Sequence, residues 1–228
     1  RETWRESVDR VMNMMYEKYP DINGDIGWAY DMMYKKRVLG SQRALQFGGE
    51  PIFKHNARLY NCISSYCDRL RFFQECMYLL LCGCGTGFSV QNHHIQKLPS
   101  FVKHKRGNKK FTIPDSIEGW SDAVGVLIAS YFDQEELFPE YVGKIVQFDY
   151  SKIRPAGAYL SSSSGKAPGP EPLKKALTNI KRVLDKALKN CDFCADELRS
   201  LSPIEAYDIV MHACLLYTSD AAADLLCV

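Results

Sequence analysis

Residues 82–90 read CGCGTGFSV, and the order of elements around them decides the fold. The apolar run before them, Leu70, Phe73, Met77, Leu80 and Leu81, recurs at helical spacing and predicts a helix over 69–82. GTGFSV then reads as a glycine turn at Gly85 and Gly87 leading into a short strand. Gly83-x-Gly85-x-Gly87 is therefore helix, then turn, then strand. A dinucleotide-binding fingerprint needs the reverse order, strand before and helix after. The lysine of a phosphate loop is also missing. What remains is a sharp turn whose backbone, free of Cβ atoms, can be approached closely. Some twenty residues upstream, LYNCI (59–63) carries Cys62 after Asn61. By spacing alone Cys62 is a strand cysteine like any other, since a free cysteine packs as a small apolar residue.

Outward from this centre, helices alternate with short strands, which favours an α/β fold. Trp4, Val8, Val11, Met12 and Met15 predict a helix over 1–19, stopped by YP and DINGD. A second helix is expected over 27–38, and GSQRALQFGGE as a helix running into a loop closed by Gly48 and Gly49. The basic stretch SFVKHKRGNKK (100–110) reads as a solvated loop. Pro114, Asp115 and Glu118 are start signals for a helix running to about Phe132. KIVQFDYSKIRP reads as a strand leaving at Pro155, and Ser161–Pro172 as a flexible loop within a domain. Leu173–Leu188 is amphipathic and helical. Ser202, Pro203 and Glu205 mark another helix start as N-cap, first position and capping-box partner. There are no internal repeats.

The bulk numbers set outer bounds. The chain has 228 residues and a net charge of +2, which advertises neither nucleic acid nor an acidic membrane as a partner. No apolar run approaches the roughly 18 residues of a membrane span. The first residues lack signal-peptide form and an initiator Met, so a start inside a longer reading frame is expected. Nine cysteines, an odd number, suit a reducing cytoplasmic compartment better than a disulfide framework. Cys191-Asp-Phe-Cys194 has metal-ligand spacing, but no second pair stands at such a spacing, so no metal site is expected. Lys166, near small residues in SSSSGKAPGP, has the composition of a phosphate cradle and equally of a plain loop.

Taken in order, RALQFGG, YNC with Cys62, MYLLLCGCGTGFSVQNHHIQKLP, PDSIEGW, SKIRPAGAYLSSSSGKAPGPEPL and SPIEAYDIVMHA resemble the adenosylcobalamin-dependent, monomeric class II ribonucleoside-triphosphate reductases. The resemblance runs from residue 1 to about 213, and GTGFSVQNHHIQKLP and IRPAGA…GKAPGPEPL are its most specific parts. It implies part of a ten-stranded α/β barrel with an N-terminal helical region. The expected divisions are 1–40 helical, 41–213 first part of the barrel with an effector-region insertion, and 214–228 an atypical tail. It implies thiyl-radical reduction of the ribose 2'-hydroxyl, with adenosylcobalamin as cofactor. A ribonucleoside triphosphate is the implied substrate, a deoxynucleoside triphosphate the effector and a thioredoxin-like protein the reductant.

In this resemblance Cys62 matches one member of the reducing cysteine pair. Two-electron reduction of a C–OH carbon needs two thiols within bonding reach of each other. Asn61, Gly85 and Gly87 become substrate-binding positions, and Asp68 and Lys166 effector-region positions. The radical cysteine and the second reducing cysteine have no match within residues 1–228. Departures stand out: serines replace the two glycines of the family's GG-x-A-S-G-P element, Gly40 and Gln46 stand where the family prefers other residues, and CLLYTSDAAADLLCV (214–228) does not follow the pattern. The fragment alone is expected to be inactive. Two other readings are a nucleotide-binding relative without catalysis and a glycyl-radical reductase on the same barrel.

Overall fold

The computed structural model describes residues 2–104, 107–159, 166–191 and 199–218. The chain forms two compact units, Arg1–Asn61 and Cys62–Val228, so the first extends past residue 40 to Asn61. The first is helical: α1 (Trp4–Lys18), α2 (Asn23–Tyr34), α3 (Gln42–Phe47) and α4 (Glu50–Lys54). Thr3 and Glu6 form a reciprocal capping box that starts α1. Val8 and Met12 of α1 pack on Ile26 and Met33 of α2 as the core of this unit. The helix expected over 27–38 begins and ends four residues earlier, because Pro20 opens a 3-10 turn that runs straight into it.

The second unit contains β1 (Cys62–Tyr66), α5 (Arg71–Leu81), β2 (Gly85–Ser89), α6 (Asn92–Ile95), β3 (Asn108–Thr112), α7 (Ile117–Ala129), β4 (Ile145–Asp149), α8 (Glu171–Lys189) and α9 (Pro203–Thr218). β1 pairs with β2 and β3 with β4, both in parallel. Parallel neighbours cannot be joined by a hairpin and need a crossover, which α5 and α7 supply. Two βαβ units result. The observed fold is α/β, and among the described residues the strands form two pairs rather than a closed barrel.

The helices bury one stripe each. On α8, Leu173, Leu177, Ile180, Leu184 and Ala187 are all buried, at alternating steps of four and three residues. On α7 the buried stripe widens to most of the helix, with Trp120, Val124 and Ile128 within it. α5 supplies Phe72, Phe73, Met77 and Leu81. Full burial of each such side chain contributes about 1.5–3 kcal/mol, so these three helices dominate the stability of the unit. Ser202 caps α9, its backbone N–H donating to Glu205 Oε2 at 2.9 Å, as the sequence pattern expects.

Three expectations shift. α7 starts at Ile117, not at Pro114, because Ser116 is the residue whose side chain accepts from the Gly119 N–H. The basic stretch is not all solvated loop: Phe101 is buried against Phe132 with ring centroids 4.6 Å apart, and Asn108–Lys110 begin β3. β4 stops at Asp149, with Ile153 turned inward before Pro155. The serine run Ser161–Ser164, Cys194 and the tail from Ser219 lie outside the described residues. Among the described residues no helix is long and apolar enough to cross a membrane.

Gly119 is required by packing. A Cβ there would meet the Pro114 backbone oxygen and lie 2.8 Å from Pro114 Cβ. Gly119→Ala is expected to lower stability by about 1–3 kcal/mol through overpacking. Urea unfolding monitored by Trp120 fluorescence measures it, and an unchanged midpoint would contradict this packing.

Candidate functional site

β1 and β2 are in register, Cys62 with Gly85, Ser64 with Gly87 and Tyr66 with Ser89. Alternate residues of a strand point to one face, so these six residues share a face. Cys62, Ser64 and Tyr66 are exposed along it, as are Gly85 and Gly87. Parallel sheets are ordinarily covered on both faces. Here one face is open, and apart from Cys62 and Tyr66 it carries only serine and glycine. The Cys62 thiol therefore stands at the strand start beside a strand position with no side chain.

Gly85 and Gly87 are strand residues, which corrects the expectation of a turn there. The turn is at Gly83, whose φ is +88°. Neither residue stands at a positive φ, so glycine is not required at 85 or 87 for backbone freedom. A Cβ on Gly87 would touch nothing nearer than the Ile63 carbonyl oxygen at 3.9 Å, so the space above it is open. Asn61 ends the first unit, where its Oδ1 accepts from Arg43 Nε at 2.6 Å. It is the last residue before β1.

Cys67, Cys76, Cys82 and Cys84 are buried, between 0% and 1% exposed, whereas Cys62 is open and unbonded. Burial, with the neighbouring Asp68 carboxylate, pushes the Cys67 thiol up to about 12. Hence Cys62 is the accessible thiol of the site.

The two residues expected in an effector region do not come together. Asp68 pairs with Arg69 at 2.8 Å and lies 3.9 Å from Lys97, on the wall of a cavity of about 680 Å³ shared with Arg71, Gln134 and Glu135. Lys166 is exposed on the loop before α8, bridged to Tyr159. That loop is strapped: the Gly157 N–H donates to the Ala167 carbonyl at 2.8 Å, and the Ala167 N–H to the Ala158 carbonyl at 2.8 Å. Gly169 adopts φ +73° with Ala156 N only 2.8 Å from where its Cβ would be. The described parts of the two halves of the IRPAGA…GKAPGP pattern are thus hydrogen-bonded to each other.

An ion pair missed in the sequence anchors this strap. Arg154 Nε donates to Asp115 Oδ2 at 2.5 Å, joining the Ile-Arg-Pro segment to the approach of α7. Both side chains are about a quarter exposed, 30% and 22%. The available signal was the opposite charge of the two motifs, which local periodicity does not read. At the end of β4, hydrogen bonds from Lys110 first and then Ser151 hold the Asp149 carboxyl far below its usual range.

Residues 90–184 match the family model for the insertion domain of B12-dependent ribonucleotide reductases. In sequence the chain is 29% identical over 208 residues to the adenosylcobalamin-dependent ribonucleoside-triphosphate reductase of Euglena gracilis, covering 80% of this chain and 27% of that protein. It is 38% identical over 140 residues to the enzyme of the same name from Lactobacillus gasseri, covering 46% of this chain and 18% of that one. In fold it superposes on the crystal structure of a B12-dependent, class II ribonucleotide reductase with a TM-score of 0.74 and 21% identity, covering 95% of this chain and 37% of that one. The match is to the N-terminal part of a class II ribonucleotide reductase. The chain spans under a third of the length of these curated reductases. The insertion-domain match begins at Val90, directly after β2, so the open β1–β2 face lies before the matched residues.

The exposure difference predicts alkylation chemistry. Under native conditions an uncharged maleimide should modify Cys62 at least about tenfold faster than Cys67, Cys76, Cys82 or Cys84, because reaction needs an accessible thiolate. Peptide mass mapping reads the order. Equal rates for Cys62 and Cys67 would contradict the open face.

Proposed function

We propose that this chain forms the N-terminal part of the catalytic barrel of an adenosylcobalamin-dependent ribonucleoside-triphosphate reductase, and that Cys62 is one of its two reducing cysteines. The observation that carries this reading is the exposed Cys62 thiol at the head of a strand face otherwise cleared by glycine and serine. In the longer protein the ten-stranded barrel is completed by further strands, and the open face becomes its interior. The ribose lies over Gly85 and Gly87, where the missing Cβ atoms admit it, and Asn61 holds the start of β1.

The chemistry asked of Cys62 balances simply. The ribose loses its 2'-hydroxyl as water and gains hydrogen at that carbon. Two thiols give up two electrons and two hydrogens and end as a disulfide. Cys62 supplies one sulfur; no other described cysteine shares its face, so the second comes from elsewhere in the longer protein. A thioredoxin-like dithiol then restores both by thiol–disulfide exchange. The enzyme acts as a monomer in the cytoplasm, its substrate choice tuned by a deoxynucleoside triphosphate near Asp68 and the strapped loop of Lys166.

The described residues do not themselves build a cobalamin site. No three metal-ligating side chains converge among them, and the 680 Å³ cavity mixes charged side chains such as Asp68, Arg69 and Glu135 with Leu70, Pro99 and Leu137. Adenosylcobalamin is the cofactor expected of the longer protein. The insertion-domain match favours this reading over a glycyl-radical reductase and over a non-catalytic nucleotide binder.

Two variants test the proposal in the full-length protein. Cys62→Ser should abolish deoxynucleotide formation, since an alcohol has no disulfide-like oxidised state, while leaving the fold intact. Normal turnover by that variant would sink the assignment. Gly87→Val should raise KM for the nucleotide about tenfold or more by filling the space above β2 with a branched side chain. Its Cβ meets no close neighbour, so stability should hold. An unchanged KM would remove the substrate from this face.

A further inference from the structure

The strand face that carries Cys62 ends in aromatic rings. Tyr66, the last residue of β1, shares that face with Cys62 and Ser64 and stands opposite Ser89 of β2. The His94 ring of α6 packs against the Tyr66 ring, with centroids 4.6 Å apart and planes inclined by 35°. The His93 ring in turn lies 3.9 Å from that of His94. Rings pair at such separations, and the contact limits how Tyr66 can turn. With His94 against it, Tyr66 is still 55% exposed. The ring is thus held from one side and open on the rest.

Its place on the face fits a nucleoside. Strand residues rise by about 3.3 Å each, so Tyr66 stands roughly 13 Å along the face from Cys62. Between the two, the face holds only Ser64, Gly85 and Gly87, and a Cβ on Gly87 would meet no atom nearer than 3.9 Å. A thiol, a ribose and a base laid end to end span that length. With the ribose over Gly85 and Gly87, the base reaches the Tyr66 ring.

The phosphates of a nucleotide have less to hold them at this end. Arg69 and Lys97, the cations that follow β1 and α6, already face carboxylates. Arg69 bonds Asp68 at 2.8 Å and pairs with Glu75, and Lys97 lies 3.9 Å from Asp68. Nor does His94 bring a charge near neutral pH: desolvation first, then His93 and Lys97, hold it below its usual titration range. An uncharged stack of rings suits an uncharged planar ring.

We propose that Tyr66, held by His94, stacks on the nucleobase of the substrate. The inference rests on the function proposed above, because it takes the ribose to lie over Gly85 and Gly87. Stacking does not read hydrogen-bonding edges, so every base is accepted. A purine overlaps the ring more than a pyrimidine does, so Tyr66 adds more to the binding of purine nucleotides.

The test is steady-state reduction of ATP, GTP, CTP and UTP by the full-length protein, with effector held saturating. Tyr66→Leu should raise KM for ATP and GTP about tenfold, the size of one lost base–aromatic stack. The rise should be smaller for CTP and UTP. The stack is present before and during the reaction, so kcat should hold. Tyr66→Phe should keep the wild-type KM values, since the stack needs the ring and not the hydroxyl. Tyr207 is a control: it is 45% exposed and packs on Phe88, a β2 residue of the opposite face, so Tyr207→Leu should leave all four KM values unchanged. Gly87→Val acts at the ribose and should raise the four alike. An unchanged KM in Tyr66→Leu, an equal rise for purines and pyrimidines, or an equal rise in Tyr66→Phe or Tyr207→Leu would overturn the proposal. The Cys62 assignment is decided separately. Turnover lost in Cys62→Ser together with unchanged KM values in Tyr66→Leu removes the stacking and leaves Cys62 its role, whereas a wild-type protein that reduces no nucleotide overturns both.

Discussion

The parallel pairing of β1 with β2 is the constraint on which the rest depends. Parallel strands cannot close through a tight turn, so a helix must cross over and bury itself against them. α5 does this, and its Phe72, Phe73, Met77 and Leu81 draw the core to one side of the strand pair. The opposite side is left open. Register then sets the chemistry: shift β2 by one residue and Thr86, not Gly85, would stand beside Cys62, and every side chain would change face. The same βαβ logic, repeated through α7, brings Asp149 level with Thr112 and ends both strands near the Asp115–Arg154 pair.

Much of this was legible because it rests on local physics. The α8 stripe follows from apolar residues recurring at three and four, and the α9 start from Ser202, Pro203 and Glu205, each with a mechanism that acts within one turn. The alternation of helix and strand gave the α/β class. What was not legible depends on partners distant in sequence. Pro114 carries a helix-start signal, but the hydrogen bond that starts α7 is made by Ser116, and Gly119 fits only because Pro114 lies against it. The basic run looked solvated because its charge hid Phe101, whose partner Phe132 is thirty-one residues away.

The site shows the same division. Cys62 beside a glycine pattern was visible, as was the family resemblance that gave the cysteine a role. The place of the glycines was not. A Gly-x-Gly pattern reads as a turn, whereas here the turn falls on Gly83 and the later glycines lie in a strand. Asp68 and Lys166 share a charge logic in sequence yet sit on separate features, a polar cavity wall and a strapped loop. The contact of Tyr66 with His94 joins the end of β1 to α6, and nothing in their spacing announces it.

The central claim is that the open β1–β2 face presents Cys62 to a substrate and to a second thiol. The most direct measurement is disulfide mapping of the full-length protein, fully reduced beforehand, after a single turnover without external reductant. The account predicts Cys62 in a new disulfide with a cysteine outside residues 1–228, formed in proportion to deoxynucleotide. Deoxynucleotide formed while Cys62 remains a free thiol would contradict it.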